Sequence, residues 1–216
     1  PSAGGFSYEK FDREESVYNE GDKVDRYTHL SEHQRIFYGN KFEISNTINV
    51  HRWNIGVSKQ KDTFTRSPQA SNIIALPENR DLNISWFEYQ YIRDGFVKSY
   101  NVQQINRVED INLGLQTSAK IGHVNSTVGT YDNSLELRLK LARGYRLSKN
   151  HLLFTNLSIN GFHKNGLIAN GLAKAHIRYH WHNFSRGQFY IDWAGARGKN
   201  LFTDQYLYLG GNNGLR

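Results

Sequence analysis

The feature that most constrains the fold is a strict alternation of apolar and charged residues with a period of two. Between positions 135 and 141 every second residue is a leucine, and the residues between them are Glu136, Arg138 and Lys140. Successive side chains of a β-strand point to opposite faces, so this segment predicts a strand with one apolar and one polar face. The residues predicted on the apolar face are Leu135, Leu137, Leu139 and Leu141.

A longer alternation runs from Leu167 to His182. Small and apolar residues occupy the odd positions from Ala169 to Trp181, and polar residues occupy most of the even positions. This length exceeds the roughly five or six residues typical of soluble strands, but it suits a bilayer-crossing strand, which needs about 9–11 residues. We expect the leucines of the first segment to face lipid and the polar side chains of the second to face an aqueous lumen. The lumen residues predicted in the second segment are Lys174, His176, Arg178 and His180.

The same alternation recurs along the chain and predicts further strands over 46–58, 82–93, 112–121, 153–160 and 188–193. The first 35 residues are interpreted as one or two strands and a loop. Short turns are predicted at Gly39-Asn40, Asp94-Gly95, Asn165-Gly166 and Arg186-Gly187, and longer polar connections at 59–80, 123–133 and 195–203. Short turns alternating with long loops are typical of membrane barrels. The predicted fold class is therefore all-β, an antiparallel up-and-down transmembrane β-barrel.

Composition excludes several other classes. An aromatic content of 13% argues against disorder, and a hydrophobic content of only 38% argues against a helical bundle. The absence of cysteine excludes disulfides, thiolate zinc sites and a cysteine nucleophile. The longest apolar runs have four residues, as at 73–76, whereas a membrane helix needs about 18.

The net charge of +7 comes from Lys and Arg residues that are spread singly along the alternating segments. A nucleic-acid-binding protein would gather them in a basic run, so we expect lumen charges and contacts with anionic lipopolysaccharide instead. His176, His180 and His182 share one face of the long segment, and a wet lumen wall explains them better than a metal site. No Gly-x-Ser-x-Gly motif or local spacing marks a catalytic group. We therefore expect no enzyme, no cofactor and no bound metal.

A soluble β-sandwich, or a lipocalin-like barrel that binds an apolar ligand, is the alternative fold. Three features weigh against it: full charges on the polar face, small residues on the apolar face at 169–175, and aromatic residues near strand ends. A girdle at a membrane interface would place aromatic residues there. The aromatic residues concerned are Trp86, Tyr179, Trp181 and Trp193.

The C-terminal stretch contains Gly210, Gly211, Leu215 and Arg216. It resembles the Gly-Gly…Leu-Arg-Gly-aromatic signature of the bacterial surface-antigen family. This family includes the outer-membrane barrels of BamA-like and TamA-like assembly proteins and, more distantly, two-partner-secretion transporters. The segments 77–86 and 106–114 are also similar to strand beginnings in that family.

The resemblance implies a closed barrel of about sixteen strands in the bacterial outer membrane. Residues 1–216 would then form an incomplete barrel domain, the N-terminal part of that barrel with about ten strands, as an open sheet whose missing strands follow Arg216. It also implies that Gly210 and Gly211 turn a loop into the lumen, where Arg216 pairs with an acidic residue on a later strand. The implied function is the insertion or assembly of proteins at this membrane, or their translocation. Partners would be outer-membrane lipid, lipopolysaccharide and unfolded outer-membrane or secreted polypeptides, and a passive pore or an anchor for another domain is the alternative.

Overall fold

The computed structural model describes residues 2–19, 22–43, 49–67, 75–100, 107–128, 131–183 and 187–205, and almost all of them lie in strands. The strands are β1 (Ser2–Asn19), β2 (Asp22–Glu43), β3 (Asn49–Arg66), β4 (Arg80–Arg93), β5 (Phe96–Tyr100), β6 (Val108–Asn112), β7 (Leu115–Val128), β8 (Ser134–Ser148), β9 (His151–Lys164), β10 (Leu167–Asn183) and β11 (Gly187–Lys199). One turn of 3₁₀ helix follows at Thr203–Gln205. Among these residues there is no helix of the length and apolarity that a membrane crossing requires.

Nine strands form one antiparallel sheet in the order β1-β2-β3-β4-β7-β8-β9-β10-β11. The β5–β6 hairpin is a separate two-stranded sheet inserted between β4 and β7, which pair directly with each other. The prediction of an all-β, antiparallel, up-and-down fold is therefore confirmed. Within the described ranges β1 and β11 each pair on one side only, so this sheet is open and is not a closed barrel.

Several strands are longer than the sequence predicts. The first 35 residues lie mainly in two long strands, and β3, β7 and β11 extend into the segments 59–80, 123–133 and 195–203 that were predicted as loops. The predicted turn at Gly39-Asn40 is wrong, because both residues lie inside β2. A Cβ atom on Gly39 would collide with the side chain of Asn54 on β3. This glycine therefore serves close cross-strand packing and not a turn.

Two predicted turns are confirmed. Asp94-Gly95 joins β4 to the hairpin, and Asn165-Gly166 joins β9 to β10. In the second turn Asn165 has φ of 50° and Gly166 has φ of 80°. This backbone suits the two-residue turn that an Asn-Gly sequence favours between twisted antiparallel strands.

The side-chain alternation predicted for β10 is interrupted by a bulge near the start of the strand. The pairing of β10 with β9 shifts between Ala169 and Leu172, and Asn170 has φ of 47°. The extra residue inverts the alternation before it, so Ala169 lies opposite Phe162, on the same side as the charged residues of β8. Its predicted place on the apolar face of β10 is therefore wrong, and Ile168 takes that side.

The two faces of the sheet are named by the residues of β8: the outer face carries Leu137 and Leu139, and the inner face carries Glu136 and Arg138. The buried core lies on the inner face. One cluster contains Leu82, Ile84, Trp86 and Val124, with Phe37, Tyr131 and Phe162 packed against it. A second cluster, in which the β5–β6 hairpin covers the sheet, contains Ile111 and Leu152 with Val97, Leu113 and Phe154. The end of the sheet that carries this hairpin is called the hairpin end.

Candidate functional site

The outer face is apolar across all nine strands. Residues directly opposite each other in antiparallel strands lie on the same face, so the strand register defines continuous rows. One row contains Tyr38, Ile55, Phe87, Ile121, Leu137 and Gly161, and the next contains Trp53, Tyr89, Ala119, Leu139, Ile159 and Ala173. Beyond them, β10 and β11 contribute Ile177, Tyr179, Trp181, Phe189, Ile191 and Trp193.

Apolar side chains are exposed on this face, whereas a charged one is buried on the other. Leu137 is 42% exposed and Leu139 is 47% exposed, but Glu136, which stands between Leu135 and Leu137 in the sequence, is 4% exposed. The inner face also buries an apolar core, but soluble proteins rarely expose a contiguous apolar patch of more than a few hundred Å² or bury a carboxylate beside exposed leucines. Larger patches mark a membrane or protein interface. That lipid covers the four leucines stays a prediction.

The outer apolar band has a limited height and different borders at its two ends. On β3 it runs from His51 to Val57 and is followed by Lys59 and Lys61. The six steps between these seven residues span about 20 Å, close to the apolar band of about 25 Å that outer-membrane barrels present to lipid. Beyond Val57 the outer face is polar, and Lys59 Nζ lies 3.8 Å from Asp81 Oδ1 on β4.

Aromatic residues and histidines border the band at the hairpin end. His51 stacks on Phe42, with ring centroids 5.1 Å apart, and its Nδ1 lies 2.6 Å from the hydroxyl oxygen of Tyr89. The same arrangement recurs on β9 and β10, where His151 stacks on Trp181 and forms a hydrogen bond with the hydroxyl of Tyr179. Amphipathic rings of this kind are enriched where membrane proteins meet the lipid–water interface.

The inner face carries a network of compensated charges around Trp86. The Arg35 guanidinium lies 4.4 Å and the Lys120 ammonium 5.1 Å from the Trp86 ring centre, so two cations contact one indole. Lys120 Nζ lies 2.9 Å from Glu136 Oε2, and Arg138 Nη2 donates to Glu136 Oε1 at 2.7 Å. Both oxygens of this buried carboxylate are therefore engaged by cations.

The four polar residues predicted on β10 all lie on the inner face. His176 and Arg178 both bond to Asp192 of β11, and Arg178 Nε lies 2.8 Å from Asp192 Oδ2. The His180 ring meets Phe154 edge-on, at a centroid distance of 5.8 Å. In the part of the chain that the structure describes, no group of three or more His, Asp or Glu residues could hold a metal ion. That these four side chains line a lumen stays a prediction.

The segment after β11 lies on the inner face and reaches across to β4. This segment, residues 200–205, is called the strap, and the end of the sheet that carries it is the strap end. Arg80, at the start of β4 and 3% exposed, binds Asp204 of the strap through both terminal nitrogens, at 2.7 and 2.8 Å. The same guanidinium lies 4.4 Å from the ring centre of buried Phe202 and 5.1 Å from that of Phe64.

Asp62 completes this buried ion cluster. Its carboxylate accepts hydrogen bonds from Arg80 Nε at 3.0 Å, Gln60 Nε2 at 2.8 Å and His29 Nε2 at 3.1 Å. Asp62 lies beyond the apolar band, level with outer-face Lys61. Burial acts to raise the pKa of Asp62, but the Arg80 charge and the hydrogen bonds outweigh it and hold this pKa below its ordinary value. The cluster is therefore built around an ionised carboxylate.

The bulge of β10 holds the other end of the strap. The backbone N–H of Asn170 donates to the carbonyl of Asn200 at 2.7 Å. The Asn170 side chain accepts from the N–H of Phe202 at 3.2 Å and donates to Gln205 Oε1 at 3.0 Å. The left-handed conformation of Asn170 thus turns its backbone and amide groups toward the strap.

No sequence motif marks Arg80, Asp62 or Asp204 as a site. Asp62 lies in a segment predicted as a loop, and Asp204 follows another. Arg80 stands directly ahead of an apolar strand, but its two partners are 18 and 124 residues away in the sequence. The predicted motif residues Gly210, Gly211, Leu215 and Arg216 lie outside the described residues.

No family model, curated protein or solved structure matches this chain. The assignment to the surface-antigen family therefore stays a prediction that rests on the motifs alone.

Proposed function

We propose that this sheet forms part of the wall of a transmembrane β-barrel in the bacterial outer membrane. The observation that carries the proposal is the outer face, which carries an exposed apolar band on all nine strands, while the inner face buries an ion network beside its core. Only a closed barrel satisfies the backbone groups of strands in lipid, so β1 and β11 need further pairing partners there. The border of aromatic residues at the hairpin end also supports strands that cross a bilayer, with this end at the lipid–water interface.

The role proposed for this barrel is that of the surface-antigen type, the insertion or translocation of proteins at the outer membrane. The support is the motif at 210–216 together with the strap that precedes it. The strap holds the chain against the inner face up to Gln205, five residues before Gly210. A loop that follows Gln205 therefore starts from the inner face of the sheet. A passive pore or a barrel that anchors another domain would share these surfaces.

A soluble barrel that binds an apolar ligand is less well supported. Such a protein places its apolar residues inside and its charges outside, as lipocalin-like barrels do. Here the exposed outer face carries Leu139 and Ile159, whereas the inner face buries Glu136 and Arg80.

The four native tryptophans provide a direct test of the membrane proposal. Trp53, Trp181 and Trp193 lie on the outer face, and Trp86 lies on the inner face. Variants that each keep one tryptophan are reconstituted into vesicles that contain brominated phospholipid, which quenches tryptophan fluorescence on contact. We expect quenching of the three outer tryptophans and weak quenching of Trp86. Equal quenching of all four, or a protein that stays in solution without detergent, contradicts the proposal.

The protein-insertion role needs a separate measurement. Vesicles that contain the full-length protein should accelerate the folding of an unfolded outer-membrane barrel protein relative to empty vesicles. Arg216→Ala should abolish the acceleration while the variant stays inserted, and a charge swap with the partner carboxylate should restore part of it. If the acceleration is absent, or survives Arg216→Ala, this role is wrong even where the tryptophan experiment succeeds.

A further inference from the structure

Two lysines on the inner face lack the compensation that the neighbouring charges have. Lys140 of β8 and Lys174 of β10 both lie directly opposite Ser158 of β9, one on each side. Each cross-strand step is about 5 Å, so the Cβ atoms of the two lysines lie about 10 Å apart with a hydroxyl between them. Neither lysine has an ion-pair partner among the described residues.

The lysines line a polar cavity of about 330 Å³ between the sheet and the strap. The other polar groups of its wall are Gln60, Glu136, Arg138, Asn160, Asn170 and Gln205. Of these, only Glu136 is acidic, and Lys120 and Arg138 already bind its two oxygens. The cavity therefore has excess positive charge, surrounded by amide and hydroxyl groups that can complete the shell of an anion.

Nearby carboxylates are committed elsewhere. Asp204 is bound by Arg80, and Asp192 is bound by His176 and Arg178. Residues 205–216 contain no Asp or Glu. Among the described residues, Lys140 and Lys174 therefore keep a positive charge that a bound anion can neutralise.

We propose that Lys140, Ser158 and Lys174 form a binding site for an oxyanion, the phosphate or carboxylate group of a small ligand. The two ammonium groups approach the anion from opposite sides, and the Ser158 hydroxyl donates from below. Ala196 lies opposite Lys174 in the same row and Ala142 lies in the next row, so neither position adds a bulky side chain beside the lysines. The site goes beyond the proposed membrane role and does not require that the barrel closes.

The test uses the full chain in detergent micelles and inorganic pyrophosphate as the probe, with calorimetry at low ionic strength. We expect Lys140→Gln/Lys174→Gln to weaken binding at least tenfold, and Lys140→Arg/Lys174→Arg to retain it. The matched control is Lys59→Gln/Lys61→Gln, which removes the same charge from the outer face of β3 and should change the affinity less than twofold. Citrate in place of pyrophosphate distinguishes a carboxylate ligand from a phosphate ligand.

A second variant keeps the test decisive if the double glutamine variant folds poorly. Ser158→Asp places a carboxylate between the lysines, so it should abolish pyrophosphate binding while the midpoint of thermal unfolding rises or stays constant. The proposal fails if the wild-type protein does not bind either anion, or if the outer-face control loses as much affinity as the inner-face variant. These results do not depend on lipid quenching or client folding, so they separate this site from the membrane proposal.

Discussion

The two faces of this sheet are built from the same strands but are organised differently. On the outer face, Leu139 and its neighbours present apolar surface, and their packing partners are mostly the residues directly opposite in the register. On the inner face, side chains connect strands that are far apart in the sheet, as Arg80 of β4 does with Asp204 beyond β11. The outer face therefore depends on the medium that covers it, whereas the inner face supplies its own partners.

Arg80→Ala should cause the largest loss of stability. The substitution leaves Asp62 and Asp204 buried without their cation, a defect that typically costs about 3–5 kcal/mol. It also frees the strap, since Phe202 loses the guanidinium against which it packs. Chemical unfolding in micelles measures the free energy, and limited proteolysis measures the release of residues 200–205.

The control for Arg80 is Arg178→Ala. Arg178 pairs with Asp192 in a partly exposed position, where an ion pair contributes about 0–1 kcal/mol. Similar losses for the two variants would show that the inner face is not organised around the Arg80 cluster.

Leu139→Arg tests the outer face against the inner face within one strand. In a bilayer an outward arginine near the midplane costs about 2–4 kcal/mol, so the free energy of folding into vesicles should fall by this amount. Arg138→Leu, on the inner face one residue away, should cost clearly less, because Lys120 still holds Glu136. If Leu139→Arg is neutral in vesicles, lipid does not cover this face.

The alternation of β8 made the sidedness of this strand predictable, because Leu135 to Leu141 follow a period of two without interruption. Strand ends beyond the apolar band were not predictable in the same way. From Lys59 to Arg66 both faces of β3 are largely polar, so the hydrophobic pattern ends while the backbone pairing continues. A strand segment that is polar on both faces lacks the apolar–polar alternation, so it is predicted as a loop.

The Arg80 cluster could not be predicted for a different reason. Its members come from β2, β3, β4 and the strap, and no local spacing links Arg80 to Asp204 across 124 positions. The bulge at Asn170, which positions the strap, also interrupts the apolar–polar alternation of β10. The residues of β10 that depart from the alternation are thus the ones that bind the strap.

Asp62→Asn tests how far the Arg80 cluster depends on charge. The variant keeps an oxygen for hydrogen bonds but loses the carboxylate, at a cost of about 1.5–3 kcal/mol near neutral pH. Because the folded state lowers the pKa of Asp62, this stabilisation is complete above the unfolded-state pKa and is lost as the pH falls through the folded value. The wild-type advantage should therefore be constant near pH 7 and shrink under strongly acidic conditions. Unfolding of both proteins across pH measures it, and an advantage that grows on acidification contradicts the role of the charge.

Tyr89→Phe should have the smallest effect, and it probes the border of the outer face. The change removes one hydroxyl that bonds to His51 Nδ1 at 2.6 Å, and such a bond contributes about 0.5–1.5 kcal/mol. Tyr91→Phe is the matched control, since Tyr91 contacts the same imidazole through its ring, at a centroid distance of 5.1 Å. In bulk water the lost bond is largely replaced by solvent, whereas at a lipid interface the imidazole nitrogen finds fewer substitutes. The difference in unfolding free energy between the two variants should therefore be larger in vesicles than in short-chain detergent. A difference that is the same in both media would place His51 and Tyr89 in water, outside the lipid boundary.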